Sequence, residues 1–206
     1  TSTSVWTHYQ RGERTFCGHT LPDGLDFNDP LPSPVLTPST KAPIGGHDES
    51  LSRDALLKAG VIEAAVFDEA AIYAHALFAL GQAHCRAQGL LLVDTKYEFG
   101  VDSNGAICLI DEVHTPDSSR FWRADDYSAA RAEGRQPEHL DKEFLRLALK
   151  AKGFTGDGPA PALDAPLTDA CEARYAEAYE RVTGAPFEAD PQASALVEAW
   201  VRQYDK

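Results

Sequence analysis

The sequence predicts an α+β fold, with helices packed on a mostly antiparallel sheet. Three observations predict it. The first fifty residues are rich in Pro, Gly and Thr and read as short strands and ordered loops. Residues 63–88 carry an apolar pattern at spacings of three and four. Residues 90–113 read as a pair of strands around an Asn-Gly turn, and helical segments follow.

Taken in order, residues 14–21 and 34–40 are the extended stretches of the first segment. Prolines at 22, 30, 32, 34, 38 and 43 exclude a long helix there. Ser52 is the expected N-cap of a short helix ending near Gly60. A longer helix follows from Glu63 to Gln88. Val66, Ala70, Tyr73, Leu77 and Leu80 share one of its faces, and Gly89 stops it. Beyond the strand pair lies a polar loop, with Arg123, Arg131 and Arg135 on a surface segment. Residues 138–150 form another helix, and residues 153–166 a flexible linker or surface loop. Residues 168–183 and 191–204 are two closing helices. No repeat divides the chain, so residues 1–206 are taken as one domain.

Composition narrows the function. The chain has 206 residues, 43% of them hydrophobic and 25% charged, which argues against a disordered chain. A net charge of -13 disfavours nucleic-acid binding, which needs basic surface. Cys17, Cys85, Cys108 and Cys171 are widely spaced and form no C-x-x-C pair. They read as reduced thiols. No uninterrupted apolar run approaches a membrane span, and no signal peptide is visible. A cytoplasmic protein is expected.

Residues 90–101 and 106–113 are the strands that carry chemistry. If Asn104 and Gly105 are the centre of a two-residue type I′ turn, Glu98 lies opposite Asp111 and Lys96 opposite Val113. Alternation then places Asp94, Lys96 and Glu98 on one face with Asp111. Val93, Tyr97, Phe99 and Val101 take the other face. Two facing carboxylates repel unless a cation lies between them. That cation is either Lys96 or a metal, and two hard oxygen ligands suit Mg2+ bound with nucleotide phosphates. The plainer alternative is a solvated face with ordinary ion pairs. A second polar cluster, Asp117, Ser118, Ser119 and Arg120, favours a site.

DTKYEFG, followed by DEVHTPDSSRFW, resembles the two signature segments of SAICAR synthetases. Further blocks resemble the family in the same order: Ser4-Val-Trp6 with Tyr9, Thr37-Pro-Ser-Thr-Lys41, His47-Asp-Glu49, and Asp141 to Arg146. Thr3 stands where the family usually has a glycine. The resemblance implies the larger part of a kinase-like, two-lobed ATP-binding architecture with the small lobe absent.

By resemblance, the activity is that of an ATP-dependent carbon–nitrogen ligase of purine biosynthesis. Such an enzyme joins L-aspartate to the carboxylate of carboxyaminoimidazole ribonucleotide. Its cofactors are ATP and Mg2+, with Glu98 and Asp111 as the metal ligands. Lys96 meets the substrate carboxylate or the transferring phosphoryl group, and Asp94 orients Lys96. Ser4, Asp117, Ser119, Arg120, Lys142 and Arg146 bind the ribonucleotide. Asp48 contacts the imidazole amine or the aspartate, and Lys41 contacts phosphate or aspartate. His47 and His114 are motif neighbours with either a structural or a catalytic role.

No glycine-rich phosphate loop of the P-loop type replaces the small lobe. The lobe is therefore expected as a separate chain or to have been cut off, and the apolar surface it leaves exposed predicts a partner or self-association. The alternative is a shortened paralogue acting on a related nucleotide in a specialised nucleoside pathway, or a non-catalytic nucleotide-binding protein. Neither nucleic acid nor membrane is an expected partner.

Overall fold

The computed structural model describes residues 5–41, 49–156 and 158–204. A short helix α1 (Val5–Gln10) precedes a small ribbon of β1 (Thr15–Phe16) and β2 (His19–Thr20). Helix α1 was not foreseen, because the prolines that exclude a long helix all lie after it. Residues 34–40 form no named strand, although Ser39 bridges Ser50. Helix α2 (Arg53–Lys58) starts as predicted, with the Ser52 side chain accepting from the Ala55 N–H.

Helix α3 (Ala64–Ala87) matches its predicted extent and ends before Gly89 at φ 71°. Its buried face differs from the prediction. Ala74, Gly81 and Cys85 face inward, whereas Tyr73 and Leu80 are exposed. Small residues let the helix lie close to strand β3 (Leu90–Thr95). At Gly81 a Cβ would stand 2.8 Å from both His114 Nε2 and a Leu92 methyl. By length and composition α3 is also apolar enough to cross a membrane. It carries Asp68, Glu69 and Gln82 and packs on β3.

The predicted strand over residues 90–101 is two strands. It breaks at Lys96 and Tyr97, separating β3 from β4 (Glu98–Val101). Strand β4 pairs antiparallel with β5 (Ile107–Ile110), which is shorter than the predicted 106–113. Strand β3 pairs antiparallel with β6 (Ser119–Arg123), a strand within the supposed polar loop. The described strands therefore form three two-stranded antiparallel ribbons instead of one sheet.

Helix α4 (Ala124–Glu133) follows β6 directly, where a surface segment was expected. Arg123 is half-buried, paired with Glu138 at 3.0 Å and with Glu177. Arg131 and Arg135 bind Asp29 and Asp126, each at 2.5 Å. Helix α5 (Glu143–Ala151) begins later than predicted, because His139, Leu140 and Asp141 are buried in an extended crossing beside β6. Helices α6 (Ala165–Thr183) and α7 (Ala193–Tyr204) close the chain. The core lies between α3, the β3–β6 ribbon and α6, built from Cys85, Leu90, Leu92, Phe121, Leu140 and Ala178. All four cysteines are free thiols.

Candidate functional site

Two ribbon ends and the start of α5 bring the charged residues together. The β3–β6 ladder slips between Leu92 and Asp94. In an unbroken ladder Asp94 would face Ser119. The slip sets it opposite Arg120, with Asp94 Oδ2 3.2 Å from Arg120 NH1. A bulge re-aims side chains in this way at the cost of local ladder regularity.

The β4–β5 hairpin also departs from its predicted register. Asp102 N–H donates to Ala106 O at 2.9 Å, and Gly105 N–H donates to Asp102 O at 3.0 Å. Gly105 has φ 84°, and Asn104 is not among the positive-φ residues. This is a three-residue loop with glycine in the left-handed position, not a two-residue type I′ turn. The Asp102 carboxylate selects it by accepting from the N–H groups of Asn104 and Ala106. The extra loop residue shifts the register by one, so Glu98 stands opposite Ile110 instead of Asp111. The predicted Lys96–Val113 pair is absent too, because both residues lie outside the paired strands. Asp111 follows the end of β5 with φ 66°.

Glu98 is nevertheless the centre of a charged group. Its carboxylate accepts from Lys96 Nζ at 2.6 Å and from Lys41 Nζ at 2.8 Å. These hydrogen bonds, Lys41 first, hold its carboxyl down to about 2. Lys41 also feels the charge of Asp111. Two lysines thus meet on Glu98 in this structure, with Lys41 supplied by the first segment. Among the described residues no group of three or more His, Cys, Asp or Glu could hold a metal. Mg2+ is commonly held by one or two carboxylates and completes its shell with phosphates and water.

The second half of the array lies across β6. Arg120 Nε is 4.0 Å from Glu143, and Glu143 is 2.5 Å from Arg146 NH1. Lys142 Nζ is 3.3 Å from Asp117. The halves are joined through the backbone, Lys96 N–H donating to Ser118 O at 3.0 Å. The Asp94 carboxyl is pushed up, first by desolvation, against the pull of Arg120, with Asp141 and Glu143 adding to the rise. About half of its side chain meets water. Ser119 is turned inward, its hydroxyl 2.9 Å from Thr95 Oγ1. Ser4, His47 and Asp48 lie outside the described residues.

His114 has a structural partner. Its Nε2 lies 2.5 Å from the Tyr97 hydroxyl, and its ring covers Gly81. Burial pushes the Tyr97 phenol up to about 12. Sequence reasoning missed Asp141 and Glu143 as members of this neighbourhood. Both stand inside the Asp141–Arg146 block, and that block was the available signal.

Basic and acidic side chains thus alternate across the two ribbon ends and the start of α5. The SAICAR synthetase family model matches residues 4–160. A putative phosphoribosylaminoimidazole-succinocarboxamide synthase 2 of Mesorhizobium japonicum is 46% identical over 96% of this chain and 63% of its own length. The chloroplastic phosphoribosylaminoimidazole-succinocarboxamide synthase of Arabidopsis thaliana is 46% identical over 93% of this chain and 46% of its own. SAICAR synthase of Saccharomyces cerevisiae, solved with SAICAR, superimposes with a TM-score of 0.72. It is 32% identical and covers 90% of this chain and 57% of its own. A SAICAR synthetase solved with ADP superimposes with a TM-score of 0.57 at 28% identity, over 77% of this chain and 55% of its own. The chain belongs to the SAICAR synthetase family. It spans about three fifths or less of the length of these relatives.

Proposed function

We propose that this chain forms the substrate- and phosphate-handling part of a SAICAR synthetase-type ligase. The reaction joins L-aspartate to the carboxylate of carboxyaminoimidazole ribonucleotide and converts ATP to ADP and phosphate. The observation that carries this reading is the clustering of Lys41, Lys96 and Glu98 beside Asp94, Arg120, Glu143 and Arg146.

Transfer of the terminal phosphoryl group of ATP to the substrate carboxylate gives an acyl phosphate. The aspartate amine attacks the acyl carbon, phosphate leaves, and the amine loses a proton. Such chemistry needs positioning and charge neutralisation more than covalent help. Lys96 neutralises the oxygen that gains charge. Arg120 and Arg146 hold the ribonucleotide phosphate through their planar forks. Lys142 and Asp117 border the same ligand, and Asp94 fixes Arg120. Lys41 is the proposed contact to phosphate or aspartate. Mg2+, held by Glu98 and Asp111, would reduce repulsion among the ATP phosphates. Ser4 and Asp48 are proposed contacts to the ribonucleotide and to the imidazole amine or aspartate.

The ATP-covering lobe is proposed to dock on an apolar face formed by α3 and the β4–β5 hairpin. Tyr73, Ala76, Leu77, Leu80, Phe99 and Leu109 line an apolar groove of about 280 Å³ between α3 and the β4–β5 hairpin. Apolar surface of this kind favours a partner. The occupant we assign is the part of the family's length that this chain does not span.

Calorimetric titration tests the reading. The ribonucleotide is expected to bind this chain, and amide formation is expected when the ATP-covering lobe is present, on the same or another polypeptide. A chain that binds no ribonucleotide overturns it.

A further inference from the structure

We propose that Asp141 and Glu143 are positioning residues that preset Arg120 and Arg146 to receive the ribonucleotide phosphate, an inference that rests on the function proposed above. The Asp141 side chain is fully buried. Its Oδ2 accepts from the Phe121 N–H at 2.8 Å, and its Oδ1 accepts from the Glu143 N–H at 2.7 Å. His139 Nδ1 stands 3.4 Å from Oδ2. One carboxylate thereby ties β6, at the residue after Arg120, to the first residue of α5.

That tie fixes where the Glu143 carboxylate falls. It lies between two guanidinium groups, 2.5 Å from Arg146 NH1 and 4.0 Å from Arg120 Nε. Two arginines converging on one phosphate repel each other before the ligand arrives. An anion placed between them offsets that repulsion and orders both long side chains in advance. Each guanidinium carries five N–H donors, so Glu143 engages only part of either fork. Glu143 is 16% exposed, which suits a group at the edge of a ligand site better than one serving the core.

Asp141 is suited to this task because its two oxygens meet two N–H donors. Asparagine would present an NH2 group to one of them, leaving a buried donor unsatisfied. Asp141→Asn therefore lowers stability as well as arginine placement. Glu143→Gln removes only the charge between the arginines and is the cleaner variant.

The test is calorimetric binding of carboxyaminoimidazole ribonucleotide and of its dephosphorylated riboside. The wild-type chain, Glu143→Gln, Asp141→Asn and the core variant Leu90→Val are compared below their unfolding temperatures. Glu143→Gln is expected to weaken ribonucleotide binding about tenfold and to leave riboside binding and the unfolding midpoint unchanged. Leu90→Val is expected to lower the midpoint and leave both affinities intact. Asp141→Asn is expected to lower the midpoint and also the preference for ribonucleotide over riboside. Wild-type ribonucleotide affinity in Glu143→Gln overturns the inference alone. Failure of the wild-type chain to bind ribonucleotide overturns the functional reading and this inference with it.

Discussion

Asp94 meets Arg120 across the β3–β6 ladder because the ladder slips by one residue just before Asp94. The carboxylate oxygen and guanidinium nitrogen are 3.2 Å apart, and both side chains reach solvent. Arg120 is therefore held from one side by Asp94 and approached from the other by Glu143 at 4.0 Å. Lysine has a point charge where arginine has a fork, and it cannot serve both carboxylates and a phosphate at once. Arg120→Lys is expected to weaken ribonucleotide binding by about tenfold or more and to cost less than ~1 kcal/mol of stability, since exposed pairs contribute little. Calorimetry and a denaturant titration read the two effects separately.

The Glu98 carboxyl makes a prediction about pH. Its folded pKa is depressed from 4.5 to about 2 by hydrogen bonds from Lys41 and Lys96. A depressed carboxyl adds stability that is fully present above its unfolded pKa and is lost as pH falls through the folded one. The window is thus from about 4.5 down to about 2, with stability falling toward the acid end. The amount is small, because Lys41 and Lys96 are largely exposed. Carbon-detected NMR titration of Glu98 should give the low midpoint. Lys41→Ala should move that midpoint up toward the ordinary range. An unmoved midpoint would show that Lys41 does not hold Glu98 in solution.

Gly81 tests how α3 supports the site. A Cβ there would lie 2.8 Å from His114 Nε2 and 2.8 Å from the Leu92 side chain. His114 is in turn bonded to Tyr97, next to Lys96. Gly81→Ala ordinarily gains helix propensity, about 1 kcal/mol for an exposed site. Here overpacking should outweigh that gain, with a net loss of about 1–3 kcal/mol. Denaturant unfolding measures it. A neutral or stabilised variant would mean that the helix does not approach the loop this closely.

These cases mark what was legible in the sequence. Helix α3 was readable because a long periodic segment ends at a glycine. Its buried face was not, because Ala74, Gly81 and Cys85 are small, and hydrophobicity alone ranks Tyr73 and Leu80 above them. Close approach to β3 decided the matter. Strand β6 was hidden because SRFW lacks alternation, and its partner β3 is far away in sequence. The Asn-Gly signal located the hairpin but missed its loop by one residue, since the Asp102 side chain competes for the N–H groups of Asn104 and Ala106. The motifs named most members of the array. Glu143 was legible only as a member of the Asp141–Arg146 block, because an acidic residue in a first helical turn otherwise reads as ordinary helix-dipole pairing. Its role depends on Arg120, which comes from another element.

Asp111 gives the sharpest test of the proposed metal ligands. The hairpin register removes it from direct opposition to Glu98, yet its charge still acts on Lys41 beside that carboxylate. Its φ of 66° is a conformation that asparagine also tolerates. Asp111→Asn should therefore fold with unchanged stability within about 0.5 kcal/mol. It removes a negative charge from a hard-cation site, so Mg2+-dependent nucleotide binding should weaken while Mg2+-independent ribonucleotide binding persists. Titration with ATP at several Mg2+ concentrations, on the chain assembled with its ATP-covering lobe, separates these outcomes. Unchanged Mg2+ dependence would remove Asp111 from the proposed ligand set and leave the phosphate-neutralising role to the Lys41–Glu98–Lys96 cluster.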